Sequence, residues 1–370
     1  MLVDKSKWGK ALCKDCVKNI NTQEAIQKKD YSSSGFYPII SQEKEYISGF
    51  TSSSSSLNVG LGDVVIFGDH TRVLKYVDFD FCVGADGVKV LKPIQSITPK
   101  FLYYFLKWSD IPSNGYSRHY KFLKEVEIKI PSLYEQEAII KELDVAKEMI
   151  DGYTQQIEDL DKLTQSIFLD TFGDPLTNPK KWNMNKISSC GKVITGNTPS
   201  KSIQEYYNSN FIEWIKTDNI KKNDLYPTIA SEYLSEEGSK KGRIVAPHSI
   251  LVCCIAGSLN SIGRCCITNR AVAFNQQINA IECNNQHDYL FMYCLIKCAQ
   301  KKFIQSASTG MKHILSKSVM SSIELPIPPL TLQKQFSAKV EAIEKQKTLL
   351  REQLADAEQL MAERMQYYFS

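Results

Sequence analysis

Two short segments, 197 residues apart, set the organisation of this chain. Residues 128–136 read IKIPSLYEQ and residues 325–333 read LPIPPLTLQ. In the ungapped alignment of these segments, Gln136 meets Gln333. Self-similarity at a fixed offset indicates an internal repeat. The chain is therefore predicted to contain two copies of one structural unit.

A long helix is predicted to follow the first segment. Ser132 and Glu135 form a capping box directly after Pro131, which predicts a helix that begins there. Apolar residues then recur at spacings of three and four, which is the pattern of a heptad seam. The predicted seam residues are Leu143, Ala146, Ile150, Tyr153, Ile157 and Leu160. About 40 residues at 1.5 Å each would give a helix of roughly 60 Å.

The second segment leads into a helix of the same kind. The same 197-residue offset still pairs Phe172 with Phe369, so the two helices are predicted to be equally long. Lys347 and Arg364 interrupt the second seam. Its predicted apolar residues are Val340, Ile343, Leu350, Leu354, Ala357 and Met361. Two narrow seams of matched length favour a coiled coil in which the two helices pair with each other, although each helix could instead pack on its own domain.

The regions before the helices also correspond. Residues 101–106 (FLYYFL) and 289–295 (YLFMYCL) both predict a buried helix, and short β-rich runs lie upstream of each. The predicted fold class is α+β, with two globular α/β domains that are each followed by a long helix. The predicted segments are 1–131 for the first domain, 132–175 for the first helix, 176–328 for the second domain and 329–370 for the second helix.

Charge alternates along these segments. Residues 1–131 carry 18 Lys and Arg against 14 Asp and Glu, and residues 176–328 carry 18 against 10. The first helix segment is acidic, with 3 basic against 11 acidic residues, and the second is neutral, with 6 of each. Two basic domains suit contact with phosphates, although a net charge of this size is common in proteins that bind no nucleic acid.

Composition limits the class of protein. No stretch reaches the roughly 18 consecutive apolar residues of a membrane span, and the N-terminus MLVDKSKWGK does not resemble a signal peptide. The eleven cysteines include the adjacent pairs Cys253/Cys254 and Cys265/Cys266, which a disulfide framework would not favour. We therefore expect a protein of the reducing cytoplasm, without a membrane partner.

The sequence contains no complete motif of a catalytic or metal-binding site among those common in DNA-modifying enzymes and zinc proteins. Cys13 and Cys16 form a CxxC, but no second CxxC or nearby histidine pair completes a zinc site. The stretch from Gly257 to Gly263 lacks the spacing and the Lys-Ser/Thr ending of a P-loop. No Asn/Asp-Pro-Pro-Tyr/Phe motif of an amino-methyltransferase is present. We expect no catalytic residue, no metal and no cofactor in this chain.

Several segments of the sequence, by their order and repetition, resemble those of the specificity subunit of Type I restriction–modification systems. IPSLYEQEAII and LPIPPLTLQKQF are similar to the family's entries into its two conserved helices. FLDTFGDPLTNPKKWNMNKI is similar to the exit from the first helix, and ITGNTPSKSIQEYYNSNFIEWIKTDNI to the opening of the second recognition domain. FYPIISQEKEYISGF is similar to the start of the first. Asn197 departs from the pattern, because family members often have a small residue there.

The resemblance implies a function as well as a fold. Each globular domain would read one half of a split double-stranded DNA site from the major groove. The helices would form an antiparallel coiled coil that sets the distance between the halves. Two methyltransferase subunits, and in a full system restriction subunits, would dock on this frame. S-adenosylmethionine and ATP would belong to those partners. Half-sites one duplex turn apart, roughly 34 Å, would lie within reach of such a coil.

Recognition domains vary widely in this family, so we predict the DNA contacts from residue chemistry alone. Arginine can bridge the O6 and N7 atoms of guanine, and lysine more often meets phosphate. Each of these residues could equally be an ordinary solvated charge. The candidates are Arg72, Lys75, Arg118, His119, Lys121, Lys201, Lys216, Asn219, Lys221, Lys222, Lys240, Lys241, Arg243, Arg264, Lys312 and His313.

Two other functions remain open on the sequence. The chain could be a coiled-coil scaffold whose globular domains bind proteins, or an enzyme that modifies DNA by itself. Salt-sensitive binding to duplex DNA would argue against the scaffold, because phosphate contacts release counterions. Modification of DNA by the purified chain would support the enzyme.

Overall fold

The computed structural model describes residues 4–113, 115, 117–308 and 313–370. The chain divides into two compact units. The first comprises Met1–Thr154 and Glu352–Ser370, and the second comprises Gln155–Arg351. Each unit therefore contains one half of each long helix, whereas the sequence placed the helices in segments of their own. No helix among the described residues is long and apolar enough to cross a membrane.

The first unit is built from short strands and short helices, and its buried apolar residues form two clusters. Its strands are β1 (Gly9–Leu12), β2 (Val17–Asn19), β3 (Tyr37–Ile40), β4 (Gly49–Thr51), β5 (Leu57–Asn58), β6 (Val64–Gly68), β7 (Leu74–Val77), β8 (Phe81–Val83), β9 (Val88–Pro93) and β10 (Glu127–Ile130). Its short helices, within the described residues, are α1 (Cys13–Cys16), α2 (Pro99–Trp108) and α3 (Tyr120–Leu123). The long helix α4 (Leu133–Phe172) begins in this unit.

The second unit repeats this sequence of elements and, among its described residues, adds two strands and two short helices to it. Its strands are β11 (Asn183–Lys186), β12 (Gly191–Thr195), β13 (Ile212–Ile215), β14 (Tyr233–Leu234), β15 (Ile244–Val245), β16 (Ile250–Cys253), β17 (Ile255–Ala256), β18 (Cys265–Ile267), β19 (Val272–Phe274), β20 (Ile278–Cys283), β21 (His313–Ile314) and β22 (Glu324–Ile327). Its helices are α5 (Ile187–Cys190), α6 (Glu236–Ser239), α7 (Tyr289–Cys298), α8 (Gln300–Ser306), α9 (Lys317–Ser322) and the start of the long helix α10 (Leu330–Phe369).

The sheets of the two units share one topology. In the first unit the strand orders are β2-β9-β6-β7 and β4-β3-β8-β5, and in the second they are β12-β20-β16-β18 and β14-β13-β19-β15. In each unit one pair is parallel, β3 with β8 and β13 with β19. A further antiparallel pair, β1 with β10 or β11 with β22, precedes each long helix. The predicted α+β repeat is confirmed at the level of strand order.

The first long helix begins at the predicted capping box and is followed by a glycine. The Glu135 amide donates to the Ser132 hydroxyl at 3.3 Å, and the Ser132 amide donates to the Glu135 carboxylate at 3.0 Å. The Ser132 hydroxyl also donates to the Glu135 carboxylate at 2.8 Å, and this bond, followed by that of the Ser132 amide, lowers the pKa of Glu135. The helix ends at Phe172, and Gly173 follows with a φ of +79°. That left-handed conformation is typical of a helix C-terminus and favours glycine.

A buried glutamine ties each long helix to the short helix before it. The side chain of Gln136 accepts from the Thr98 amide at 2.8 Å and donates to the Ser96 carbonyl at 2.7 Å. In the second unit, Gln333 accepts from the Asp288 amide at 2.9 Å. Thr98 and Asp288 are the N-caps of α2 and α7. Gln136 and Gln333, which the repeat aligns, therefore have the same structural role in the two units.

The last residue of each long helix packs among aromatic rings. Phe172 lies 4.9 Å from Phe291 and 5.4 Å from Phe336, measured between ring centroids. In the first unit, Phe369 lies 5.6 Å from Phe101 and 5.4 Å from Phe105. The C-terminal end of each helix thus completes the core of the unit that contains it.

The long helices pair in antiparallel fashion. In the second unit, Phe336 of α10 contacts Phe172, the last residue of α4, whereas Lys347, further along α10, contacts the earlier residue Asp161. In the first unit, the Tyr368 hydroxyl donates to the Glu142 carboxylate at 2.7 Å. The predicted seam residues Leu143, Ala146, Val340, Leu350, Ala357 and Met361 are buried, and Ile150, Tyr153, Ile157, Leu160, Ile343 and Leu354 are half-buried.

Lys347, which interrupts the second seam in sequence, is itself a buried seam residue. Its side chain is 1% exposed. Its ammonium group lies 2.8 Å from the Asp161 carboxylate and 2.7 Å from the Glu344 carboxylate. A buried lysine is tolerated when its charge is paired in this way. The repeat-equivalent position in the first helix is Ile150, so this ionic cluster belongs to the second unit alone.

Candidate nucleic-acid interface

In the first unit the candidate residues gather around the turn between β6 and β7. Asp69, which is 3% exposed, connects this turn to a neighbouring segment through hydrogen bonds. Its carbonyl accepts from the His119 amide at 2.7 Å, and its carboxylate accepts from the Tyr120 amide at 2.7 Å. These bonds hold the β6–β7 turn against the segment that carries Arg118 and Lys121. Both of those side chains are exposed.

Arg72 lies in this turn with an unusual backbone. Its φ is +60°, a left-handed conformation that costs a non-glycine residue of order 1–3 kcal/mol. Its amide donates to the Gly68 carbonyl at 2.8 Å, and its guanidinium donates to the Ile111 carbonyl at 2.8 Å. The side chain is exposed. The surrounding bonds therefore hold an exposed arginine in a strained but defined position.

Polar side chains and a glycine pack behind this turn. The His70 amide donates to the Gln42 side chain at 3.1 Å, and the Thr71 hydroxyl donates to the Gln42 carbonyl at 2.7 Å. Gly87 has a φ of +74°, and a Cβ there would lie 2.8 Å from the His70 ring. Close packing and paired polar groups make the turn a rigid support for its exposed residues.

Two first-unit candidates have structural roles instead. Lys75 is 4% exposed, and its ammonium group donates to the carbonyls of Ser41 and Glu45 at 2.8 and 2.5 Å. Burial lowers the pKa of Lys75. His119 is 1% exposed, and its Nδ1 lies 2.9 Å from the Asp69 carbonyl. Both side chains hold loops together and face away from solvent.

In the second unit, two candidate lysines share one carboxylate. Lys201 lies 3.1 Å from Glu232, and Lys216 pairs with the other oxygen of the same carboxylate. Both ammonium groups also stand over the Trp214 ring, at 5.5 and 5.1 Å from its centroid. The hydrogen bond from Lys216 is the main cause of a lowered pKa for Glu232. The two lysines thus form one basic cluster with part of its charge neutralised.

The other candidates in this unit vary in exposure. Asn219 is 7% exposed and accepts from the Lys216 amide at 3.0 Å, so it holds the turn that positions that lysine. Lys240, which follows the short helix α6, pairs with Glu237 of that helix. Arg264 and His313 are half-buried, and Lys312 lies outside the described residues. The exposed candidates are Lys201, Lys221, Lys222, Lys240, Lys241 and Arg243.

The turn equivalent to β6–β7 has a different form in the second unit. β16 and β18 are joined by the longer connection from Cys254 to Arg264, in which β17 pairs with β21. The guanidinium of Arg264 lies beside the thiol of Cys253, and burial raises the pKa of that thiol to about 11. The two units therefore share a scaffold and present different chemistry at the corresponding place.

Cys13 and Cys16 form the one-turn helix α1 and are both buried. Burial raises the pKa of the Cys13 thiol to about 12. These cysteines therefore pack in the core of the first unit as neutral thiols.

Comparison with known proteins identifies this architecture. A family model described as the Type I restriction modification DNA specificity domain matches residues 6–161 and 179–359. The chain belongs to this family. The two matches divide the chain into the same two copies as the repeat.

Individual relatives agree with the family model. The EcoR124I/EcoR124II specificity subunit of Escherichia coli is 22% identical over 348 residues, which cover 89% of this chain and 83% of that protein. The HindI specificity subunit of Haemophilus influenzae is 29% identical over 170 residues, which cover 45% and 36%. The crystal structure of an S subunit from M. genitalium superposes with a TM-score of 0.60 at 17% identity and covers 97% of this chain and 95% of that one. The chain is a DNA-recognition subunit of a Type I restriction–modification system.

Proposed function

We propose that this specificity subunit is non-catalytic and reads a bipartite DNA target, with one compact unit on each half-site. The observation that carries the proposal is the duplication of one sheet topology on a pair of antiparallel helices. Two copies of one recognition scaffold with different surface residues suit two short sequences that differ from each other. The paired helices would act as the ruler between them.

The same duplication supports the choice of partners. Two identical methyltransferase subunits would find two equivalent surfaces on a chain with an internal repeat. Restriction subunits would join in a complex that cleaves DNA. In this proposal S-adenosylmethionine and ATP bind to the partner subunits, and this chain contributes recognition alone. Its localisation would be the cytoplasm, where the DNA and the partners are.

The structure narrows the set of residues proposed to contact DNA. Lys75, His119 and Asn219 use their buried side chains within the fold, so we omit them. Arginines would read bases and lysines would neutralise phosphates. The proposed contacts are Arg72, Arg118, Lys121, Lys201, Lys216, Lys221, Lys222, Lys240, Lys241, Arg243, Arg264 and His313.

Genome-wide mapping of methylated bases tests this function. The chain is expressed with its cognate methyltransferase subunit in cells that lack other methylation systems, and the matched control omits the chain. We expect a motif of two short defined parts around a fixed unspecified spacer, present only when the chain is expressed. A continuous motif, or a motif that survives without the chain, would contradict the proposal. Methylation by the purified chain alone would show instead that it is an enzyme.

A further inference from the structure

We propose that Arg72 is a base-reading residue of the first unit and recognises a guanine in the half-site bound by that unit. This inference rests on the proposed function, because it names one determinant of the DNA specificity. It starts from three features of the β6–β7 turn, which are a strained backbone, a rigid support and an exposed guanidinium.

The strained backbone is the first feature. Arg72 adopts a φ of +60° in a position where glycine or asparagine would be relaxed. Strained conformations of this kind persist where the surrounding structure imposes them, and they cluster at functional sites. An arginine kept in this conformation is best explained by what its side chain does.

The rigid support is the second feature. The turn is joined to three other segments. The Asp69 amide donates to the Gly87 carbonyl at 2.7 Å, the His70 amide donates to the Gln42 side chain, and Asp69 accepts from the amides of His119 and Tyr120. Base discrimination requires donors that are already in place when the DNA arrives. The residues behind Arg72 meet that requirement.

The third feature is the guanidinium itself. One of its N–H groups is held by the Ile111 carbonyl, which orients the planar fork while the side chain stays exposed. A fixed fork of parallel donors matches the O6 and N7 acceptors of guanine in the major groove. Lysine, with a single rotating ammonium group, would not reproduce this geometry. Lys121, on the segment joined to Asp69, would meet a flanking phosphate.

Among the described residues of the second unit, no arginine occupies an equivalent turn. The corresponding connection there is longer, and its Arg264 is half-buried beside Cys253. The loss of Arg72 should therefore relax only the half-site read by the first unit.

The test uses the full chain with its methyltransferase subunit and three variants. Arg72→Gly removes the guanidinium and relieves the backbone, so this variant should fold at least as well as the parent, which a thermal melt checks. Arg72→Lys keeps the charge without the fork. Lys29→Ala, an exposed charge in the same unit outside the turn, is the matched control. Methylated motifs are mapped in cells, and affinities are measured on duplexes that carry the mapped site or single base-pair changes in it.

We expect both Arg72 variants to lose selectivity at one G·C pair of one half-site, while the other half and the spacer stay unchanged. On duplexes, discrimination at that pair should fall about 10- to 100-fold, the range of a bidentate arginine–guanine contact. Lys29→Ala should retain the parental motif. An unchanged motif and unchanged discrimination in Arg72→Gly would overturn this inference alone. If the parent chain itself gives no bipartite motif, the proposed function fails as well.

Discussion

The two compact units are copies of one scaffold that differ in a few chemically important positions. Both have the same strand orders, a buried glutamine at the start of a long helix and an aromatic anchor at the end of the other. They differ at the seam, where Ile150 corresponds to the buried Lys347, and at the turn that carries Arg72 in the first unit. The shared features maintain the frame, and the differences give each unit its own role.

The aromatic anchors should show the largest effect and should be equivalent. Phe172→Ala and Phe369→Ala each remove a ring that packs among other aromatic side chains. Each is expected to lower the free energy of unfolding by about 3–5 kcal/mol, as for other large buried aromatics. Urea unfolding of the full chain measures this loss. If one variant costs less than half as much as the other, the two anchors are not equivalent.

The seam position should respond in opposite ways in the two units. Ile150→Lys would place an ammonium group one turn from Lys147, where the second unit has Glu344, and is expected to cost about 2–4 kcal/mol. Lys347→Ile combined with Asp161→Leu and Glu344→Leu replaces the whole ionic cluster by apolar residues and should be neutral or stabilising, by up to about 4 kcal/mol. Thermal melts of the two variants make the comparison. Equal destabilisation by both would refute a distinct ionic cluster in the second unit.

The buried glutamines should show a smaller and graded effect. The Gln136 side chain makes hydrogen bonds with Ser96, Thr98 and Pro131, and that of Gln333 bonds with Pro328 and Asp288. Gln136→Ala is expected to cost about 3 kcal/mol and Gln333→Ala about 2 kcal/mol, since each leaves buried backbone groups without partners.

The exposed Gln335→Ala is the control for this glutamine comparison and should change stability by less than about 0.5 kcal/mol. A larger loss in Gln333→Ala than in Gln136→Ala would reverse the order expected from the hydrogen bonds.

The smallest effect concerns Glu232, which neutralises Lys201 and Lys216 in the second unit. Its pKa is lowered in the folded chain, so its contribution to stability is present above the unfolded value near 4.5 and is lost as the pH falls through the folded value. Since the pairs are partly exposed, Glu232→Gln should cost less than about 1 kcal/mol at neutral pH and flatten the acid limb of the stability profile.

The same variant should affect DNA binding. It frees two basic side chains, so duplex affinity at low salt should rise a few-fold, and the gain should fade at high salt. Fluorescence anisotropy at two salt concentrations measures this. Weaker binding at low salt would mean that these lysines do not face the DNA.

The sequence predicted the frame well, because its signals are local or repeated. The capping box at Ser132 and the heptad spacing specify where the first helix begins and which face it buries. The aligned residues Gln136 and Gln333 are the buried glutamines that tie each long helix to the short helix before it. Helix ends and seams depend on neighbouring residues, so one sequence is enough to find them.

The contacts that the sequence missed join residues that are distant along the chain. In the sequence, Lys347 looks like an interruption of the seam. Its ion pair with Asp161 could not be predicted, because that partner lies 186 residues away. Lys75 and His119 looked like surface charges, yet they bond to carbonyls 30 to 50 residues away. The left-handed backbone of Arg72 could not be predicted from its residue type, because positions with a positive φ usually hold glycine.

Replacing one unit's recognition residues tests most directly whether each unit reads its own half-site. Residues 1–131 are exchanged for the corresponding segment of a relative with a different target, and methylated motifs are mapped in cells that express the hybrid with the cognate methyltransferase subunit. The account predicts a new motif in which one half has changed, while the other half and the spacer length stay as in the parent. A motif in which both halves change, or neither, would contradict it.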